Sequence, residues 1–190
     1  VNKYITEFYQ VDMFYRRTLE AYHELLTKEN PIELVLNAAK RQLDLEYAKI
    51  ANLLNLEWLT CVEEKGVWFT ETGLKHQEDF YANESDPNVK QVVIISDALR
   101  YEVAMELMQR LAKEKHMATI EAYQAMLPTE TKFCKPSLLP YHSLELFGTD
   151  MAVDGVVLTT TEQRTAHLNK YRDGGICVRY EDVMNGDQTS

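Results

Sequence analysis

Cysteine is scarce. The 190-residue chain has three, Cys61, Cys134 and Cys177, far apart, with no CxxC spacing and no accompanying histidine pair. That excludes a disulfide framework and reads as buried free thiols in a reducing compartment. Long apolar runs are missing too: no stretch reaches the roughly 18 residues of a membrane span, and no charged-then-apolar signal opens the chain. The expectation is a cytoplasmic protein with no membrane segment. Positive charge is in deficit, with a formal net charge of −10. Residues 1–90 hold 10 Lys/Arg against 16 Asp/Glu, and residues 91–190 hold 10 against 14. Neither half is a sequence-independent binder of a phosphate backbone, although a metal-mediated contact stays open. No Walker loop, GxGxxG or GxSxG occurs, and the segment after the first predicted core strand, ALRYEV, has no glycine to cradle a phosphate.

What is present is ordinary for a globular chain, 45% hydrophobic and 26% charged residues, enough for one large domain or two small ones. The chain starts inside a helical pattern at Val1 and ends on a polar tail, Asn185–Ser190, as a piece of a longer protein would. Tyr4, Phe8, Val11, Tyr15, Leu19, Tyr22 and Leu26 form one apolar stripe at helical spacing, and Ile32, Leu36, Ala39, Leu43, Tyr47, Ile50 and Leu54 form another. Asn30 suits an N-cap and Pro31 the first helical position. Two such helices predict an antiparallel hairpin over residues 1–60. Residues 61–90 are irregular, with a short strand predicted at Val67–Phe69. The boundary is placed so that residues 1–85 form a helical region and residues 86–190 an α/β region.

From residue 91 strand and helix patterns alternate. The run Val92–Ser96 predicts a strand buried on both faces, in the interior of a mainly parallel sheet. A helix over about 98–114 follows, with Leu99, Val103, Leu107 and Leu111 as its apolar face. Further strands are predicted at Met117–Ala125, Leu144–Phe147, Val153–Leu158 and Ile176–Tyr180, with a short helix at Phe133–Leu139 and another capped by Thr161 and running through Tyr171.

Asp97 ends the first core strand, and two readings stay open. Aspartate is a preferred N-cap, and it stands just before a helix. A carboxylate at the end of a central strand is also a metal or substrate ligand in open α/β sheets. Thr129 and Thr131, in LPTETK, divide in the same way between a turn bonding its own backbone and a hydroxyl activated beside a metal or base. Arg100 faces either a substrate phosphate or a surface acid. His116, His142 and His167 share no ligand spacing with a carboxylate and read as ordinary histidines.

VVIISDALRYEVAMEL followed by LPTETKFCKPSLLPYH resembles the PglZ family, the phosphatase-like component of BREX phage-resistance systems and a branch of the alkaline phosphatase superfamily. FYQVDMFYRR and HQEDFY resemble the helical region upstream, so the likeness covers most of residues 4–145. It implies a helical hairpin followed by the first half of an alkaline-phosphatase-like, mainly parallel three-layer α/β domain. It implies Asp97 as a metal ligand and Thr131 as the metal-bound nucleophile, with Thr129 as the fallback. It implies a divalent metal, zinc or manganese, a phosphate ester or nucleic-acid phosphodiester substrate, and other phage-defence components as partners. The superfamily's downstream Asp-x-x-x-His element and Asp-His pair are missing here. The expectation is therefore a fragment of an antiviral metal-dependent hydrolase, inactive alone; the alternative is a non-catalytic scaffold of a defence complex. An α/β nucleotide-binding module of another kind is a third possibility, from composition alone.

Overall fold

The computed structural model describes residues 1–26, 32–66 and 72–186. Asn30, Pro31 and the strand predicted at Val67–Phe69 lie outside them. In chain order, one π turn (Tyr4–Phe8) leads into α1 (Tyr9–Leu26) and α2 (Glu33–Lys65), followed by β1 (Lys75–His76), α3 (Phe80–Glu84) and α4 (Tyr101–Lys113). Then come β2 (Tyr123–Gln124), α5 (Thr131–Cys134), β3 (Leu144–Phe147), β4 (Asp150–Val153), β5 (Val156–Val157), α6 (Thr161–Leu168) and α7 (Tyr180–Met184). The fold is mixed α/β with an N-terminal helical region and a small parallel sheet, consistent with a partial alkaline-phosphatase-like fold. Contacts group residues 1–73 with 98–122, and residues 74–97 with 123–190.

In the first unit, α1 and α2 form the antiparallel hairpin. Their stripes are apolar in body but tyrosine-rich, and each buried hydroxyl needs a partner. Tyr15 donates to Asp44 at 2.9 Å, Tyr22 to Asn37 at 2.5 Å and Tyr47 to Asp12 at 2.9 Å. Asp12 also accepts from Tyr4 at 2.5 Å, and the Tyr15 and Tyr47 rings stack at 3.8 Å. Burial and the Asp12 bond push the Tyr47 hydroxyl up to about 12, keeping it a donor at any ordinary pH.

Helix α4 packs on α1 with an unexpected face. Its buried residues are Glu102 and Glu106, while Leu99 and Leu107 are 49% exposed. The predicted apolar face loses because α1 presents arginines. Glu106 accepts from Arg16 and, at 2.6 Å, from Arg110, with Arg17 at 3.4 Å. Those guanidiniums, Arg16 first, hold the Glu106 carboxyl at about 2 against the opposing effect of burial.

The second unit holds a parallel pair, β1 with β2 in the register Lys75↔Tyr123 and His76↔Gln124, and an antiparallel meander, β3–β4–β5. Asp154 and Gly155 join β4 to β5 with φ of 49° and 77°, the two positive angles of a type I′ hairpin. Gly148, at φ 64°, opens the two-residue link from β3 to β4. Leu139, Val153 and Leu158 form the apolar core, with Tyr141 and Leu144 against it. Helix α6 is capped one residue before the predicted position, by Thr160, in a capping box with Gln163. His167 is buried, and its Nε2–H donates to the Pro140 carbonyl at 2.7 Å, as a packed histidine should.

The strands differ from expectation at four places, and at one of them the predicted strand Val153–Leu158 is broken by the Asp154–Gly155 turn into the β4–β5 hairpin. Residues 91–96 form no regular element and pair with no strand among the described residues, and Val92 and Ile94 are 85% and 80% exposed. The apolar run has the composition of an interior strand, but burial needs neighbours on both edges, and the described residues supply none. Of Met117–Ala125 only Tyr123–Gln124 pairs, and Ile176–Arg179 forms no ladder, with Tyr180 opening α7 instead. Among the described residues parallel pairing is confined to β1 and β2; the larger sheet is antiparallel because its hairpin turns, GT and DG, close strands directly.

Candidate functional site

Asp97 follows the apolar segment 91–96, and Thr131 opens α5 after the loop Met126–Glu130. Thirty-four positions apart in sequence, they meet: Thr131 Oγ1 donates to Asp97 Oδ2 at 3.1 Å and lies 3.3 Å from Oδ1. Both residues are exposed, so a solute reaches the pair directly. Asp97 caps no helix, since α4 starts four residues later with Arg100 at its N-cap. Thr131 bonds outward to Asp97 as well as serving its own turn, where its carbonyl accepts from Lys135 N at 3.0 Å. Thr129 is exposed two residues earlier. Arg100 pairs at 3.2 Å with Glu102, an acid that is buried rather than on the surface.

The backbone around Thr131 is held from behind. Phe133 and Cys134 amides both donate to Glu130 O at 2.9 Å, which closes the α5 turn. The Cys134 carbonyl accepts from Ser137 Oγ at 2.8 Å and from Gln77 Nε2 at 2.8 Å. The Cys134 thiol reaches the carbonyls of Met126 and Pro128 at 3.6 Å each, and burial pushes it up from its ordinary value. Gln77 Oε1 accepts from Met126 N at 3.4 Å. The sequence offered no local signal for Gln77; its role depends on the β1–β2 register. HQEDFY therefore packs behind the threonine loop, with Glu78 O accepting from Tyr141 at 3.0 Å and Phe80 edge-on to Tyr123 at 6.1 Å.

A carboxylate and an alcohol oxygen are donors that suit a hard divalent cation. Among the described residues no group of three or more His, Cys, Asp or Glu converges to hold a metal. The pair fits part of a metal site. Among those residues, too, no helix is long and apolar enough to cross a membrane.

Residues 79–190 match the family model of the BREX system PglZ alkaline phosphatase-like domain. The chain is similar to the alkaline phosphatase-like protein PglZ of Bacillus cereus (strain H3081.97), 30% identical over 97% of this chain and 22% of that protein. It is also similar to the alkaline phosphatase-like protein BrxZ of Escherichia coli O9:H4 (strain HS), 32% identical over 59% of this chain and 14% of that protein. The chain thus spans less than a quarter of the length of these curated relatives. No solved structure matches. With its model matched over more than half of these residues, the family is settled: this chain belongs to the PglZ alkaline phosphatase-like family of BREX systems.

Proposed function

We propose that this chain is part of a cytoplasmic metal-dependent phosphatase or phosphodiesterase-type hydrolase acting in anti-phage defence. In this reading residues 1–85 are a helical region and residues 86–190 the opening part of the phosphatase-like domain. The observation that carries it is the 3.1 Å bond between Thr131 and Asp97, an exposed hydroxyl and carboxylate on the same open face. Asp97 and Thr131 hold a divalent ion, zinc or manganese. When bound, such an ion lowers the pKa of a coordinated hydroxyl and offsets phosphoryl charge. Asp97 fixes where the Thr131 oxygen points by accepting its O–H hydrogen bond. The substrate is a phosphate ester or a nucleic-acid phosphodiester, and the partners are other defence components.

Two oxygen donors are fewer than the three protein ligands, roughly, that a catalytic zinc needs. The remaining ligands then come from a longer polypeptide, and the 190 residues alone turn over no substrate. The lack of a third convergent ligand among the described residues favours a second reading, a scaffold that assembles defence partners without hydrolysis.

The deciding experiment assays the full-length protein and the 190-residue chain on a chromogenic phosphodiester with zinc, manganese or magnesium. Metal-dependent turnover is expected from the full-length protein alone, and Thr131→Ala or Asp97→Ala should lower it by about 10³-fold or more, as expected for groups that act as a unit. Turnover that survives Thr131→Ala places the nucleophile elsewhere. An inactive full-length protein that still protects cells from phage supports the scaffold.

A further inference from the structure

Gln77 stands in the HQEDFY segment, where neither the metal pair nor the helical hairpin gives it a task. It lies directly after β1, and the parallel register that sets His76 beside Gln124 brings its side chain to the loop that leaves β2. Its amide touches both ends of that loop. Oε1 accepts from Met126 N at 3.4 Å, and Nε2 donates to Cys134 O at 2.8 Å. The nine residues from Met126 to Cys134 contain Thr129 and Thr131. We infer that Gln77 is a positioning residue that clamps the threonine loop and fixes Thr131 against Asp97. The inference rests on Thr131 being the reacting hydroxyl.

The chemistry of the two bonded groups selects the side chain. One end of the loop presents an N–H and the other a carbonyl, so the clamp must accept and donate at one tip. A neutral primary amide does both; an ionised carboxylate only accepts, a thioether accepts only weakly, and an alkyl group does neither. The Cys134 thiol ties the same two ends by contacts to the Met126 and Pro128 carbonyls, but at 3.6 Å these are weak bonds from a poor donor. The amide is therefore the stronger of the two closures. Thr131 itself sits on a short exposed turn with no side-chain cap, and its hydroxyl has little else to define its direction. A displacement of about 1 Å at a reacting group costs on the order of 10²-fold in rate, because orientation is a large share of catalysis.

The test uses the full-length protein with Gln77→Met, which keeps the length of the side chain and removes both polar functions, and Gln77→Glu, which keeps the acceptor. Phosphodiester kinetics and amide hydrogen exchange over residues 126–134 are measured, with Thr131→Ala in parallel. Gln77→Met should lower kcat by about 10- to 100-fold with KM within about twofold of the original, and exchange in the loop should quicken at least about tenfold. Gln77→Glu should fall between, with Met126 still protected and the residues after Thr131 released. Unchanged kcat in Gln77→Met overturns the inference even if Thr131→Ala is inactive. Turnover that persists in Thr131→Ala breaks the underlying reading instead, and positioning falls with it whatever the exchange shows. If no phosphoester is turned over, exchange decides the clamp: loop rates unchanged by Gln77→Met overturn it, and quickened rates uphold it.

Discussion

In the unit of residues 1–73 and 98–122, the buried acids face arginines; in the unit of residues 74–97 and 123–190, the hydrogen bonds to Asp154 come from two backbone amides and a tyrosine hydroxyl. Glu106 is gripped by Arg16 and Arg110, with Arg17 close by. Asp154 accepts the backbone N–H groups of His142 and Ser143 at 2.8 Å each and the hydroxyl of Tyr171. Both carboxyls are held at about 2. For Glu106 the guanidiniums lead; for Asp154 burial pushes upward, and the Tyr171 and backbone bonds overcome it. The same depressed acidity therefore comes from charge in one place and from dipoles in the other. A full charge has a partner that mutation can strand, whereas a dipole cage tolerates an isosteric neutral group.

The sharpest way to break this contrast is Glu106→Ala. It leaves Arg16, only 21% exposed in its side chain, with the more distant Glu102 and the exposed Glu20. The change should cost about 2–3 kcal/mol, because removing one partner of a largely buried pair strands the other. Urea unfolding of the chain would show it, and a loss under about 0.5 kcal/mol would mean that the network organises nothing. The pH dependence has a defined sign. A carboxyl held near 2 when folded, against 4.5 as its ordinary value, contributes its stability fully above about 4.5 and loses it as pH falls towards 2. Glu106→Ala should flatten that slope.

Asp154 gives the intermediate effect. Asp154→Ala removes three hydrogen bonds from one turn and puts alanine at φ 49°, for an expected loss of about 1–2 kcal/mol. Asp154→Asn keeps an acceptor for the two amides, offers Tyr171 a donor and tolerates positive φ, so it should cost under about 0.5 kcal/mol. Thermal melts of both at low and high salt test the pair. An Asn variant as damaging as the Ala variant would show that the negative charge matters here too.

The smallest effect isolates backbone from contacts. At Gly155 an added Cβ meets nothing within 4 Å, yet φ is 77°. Gly155→Ala should cost about 1 kcal/mol from conformation alone, and Gly155→Asn less. Equal stability of all three would place the hairpin's register under the control of Val153 packing.

Much of the helical unit was legible in the sequence because a stripe at helical spacing needs no knowledge of its partner. What the stripe concealed is that Tyr15 and Tyr22 are used for their hydroxyls, since Asp44 and Asn37 become neighbours only once the register of two helices is set. Glu102 and Glu106 hid for a related reason: an acid reads as solvated until an arginine on another helix is known to face it. The meeting of Asp97 with Thr131 was anticipated, though on the assumption of adjacent strand ends, and residues 91–96 form no ladder. Asp154 beside Gly155 reads as a turn from sequence, but the apolar periodicity drew the strand Val153–Leu158 through it.

Val92–Ile95 are four β-prone apolar residues outside any regular element, 47–85% exposed, without proline. An exposed run of this kind is an aggregation hazard, and charged neighbours are what restrain it. Here the restraint is Lys90 on one side and Asp97 on the other. Asp97 is thus also a gatekeeper, and replacing it with alanine strips one of two charges flanking a sticky segment. Specific activity lost in Asp97→Ala will mix chemistry with precipitation, so light scattering must accompany that assay. Thr131→Ala, which leaves both gatekeepers in place, is the cleaner probe of the site.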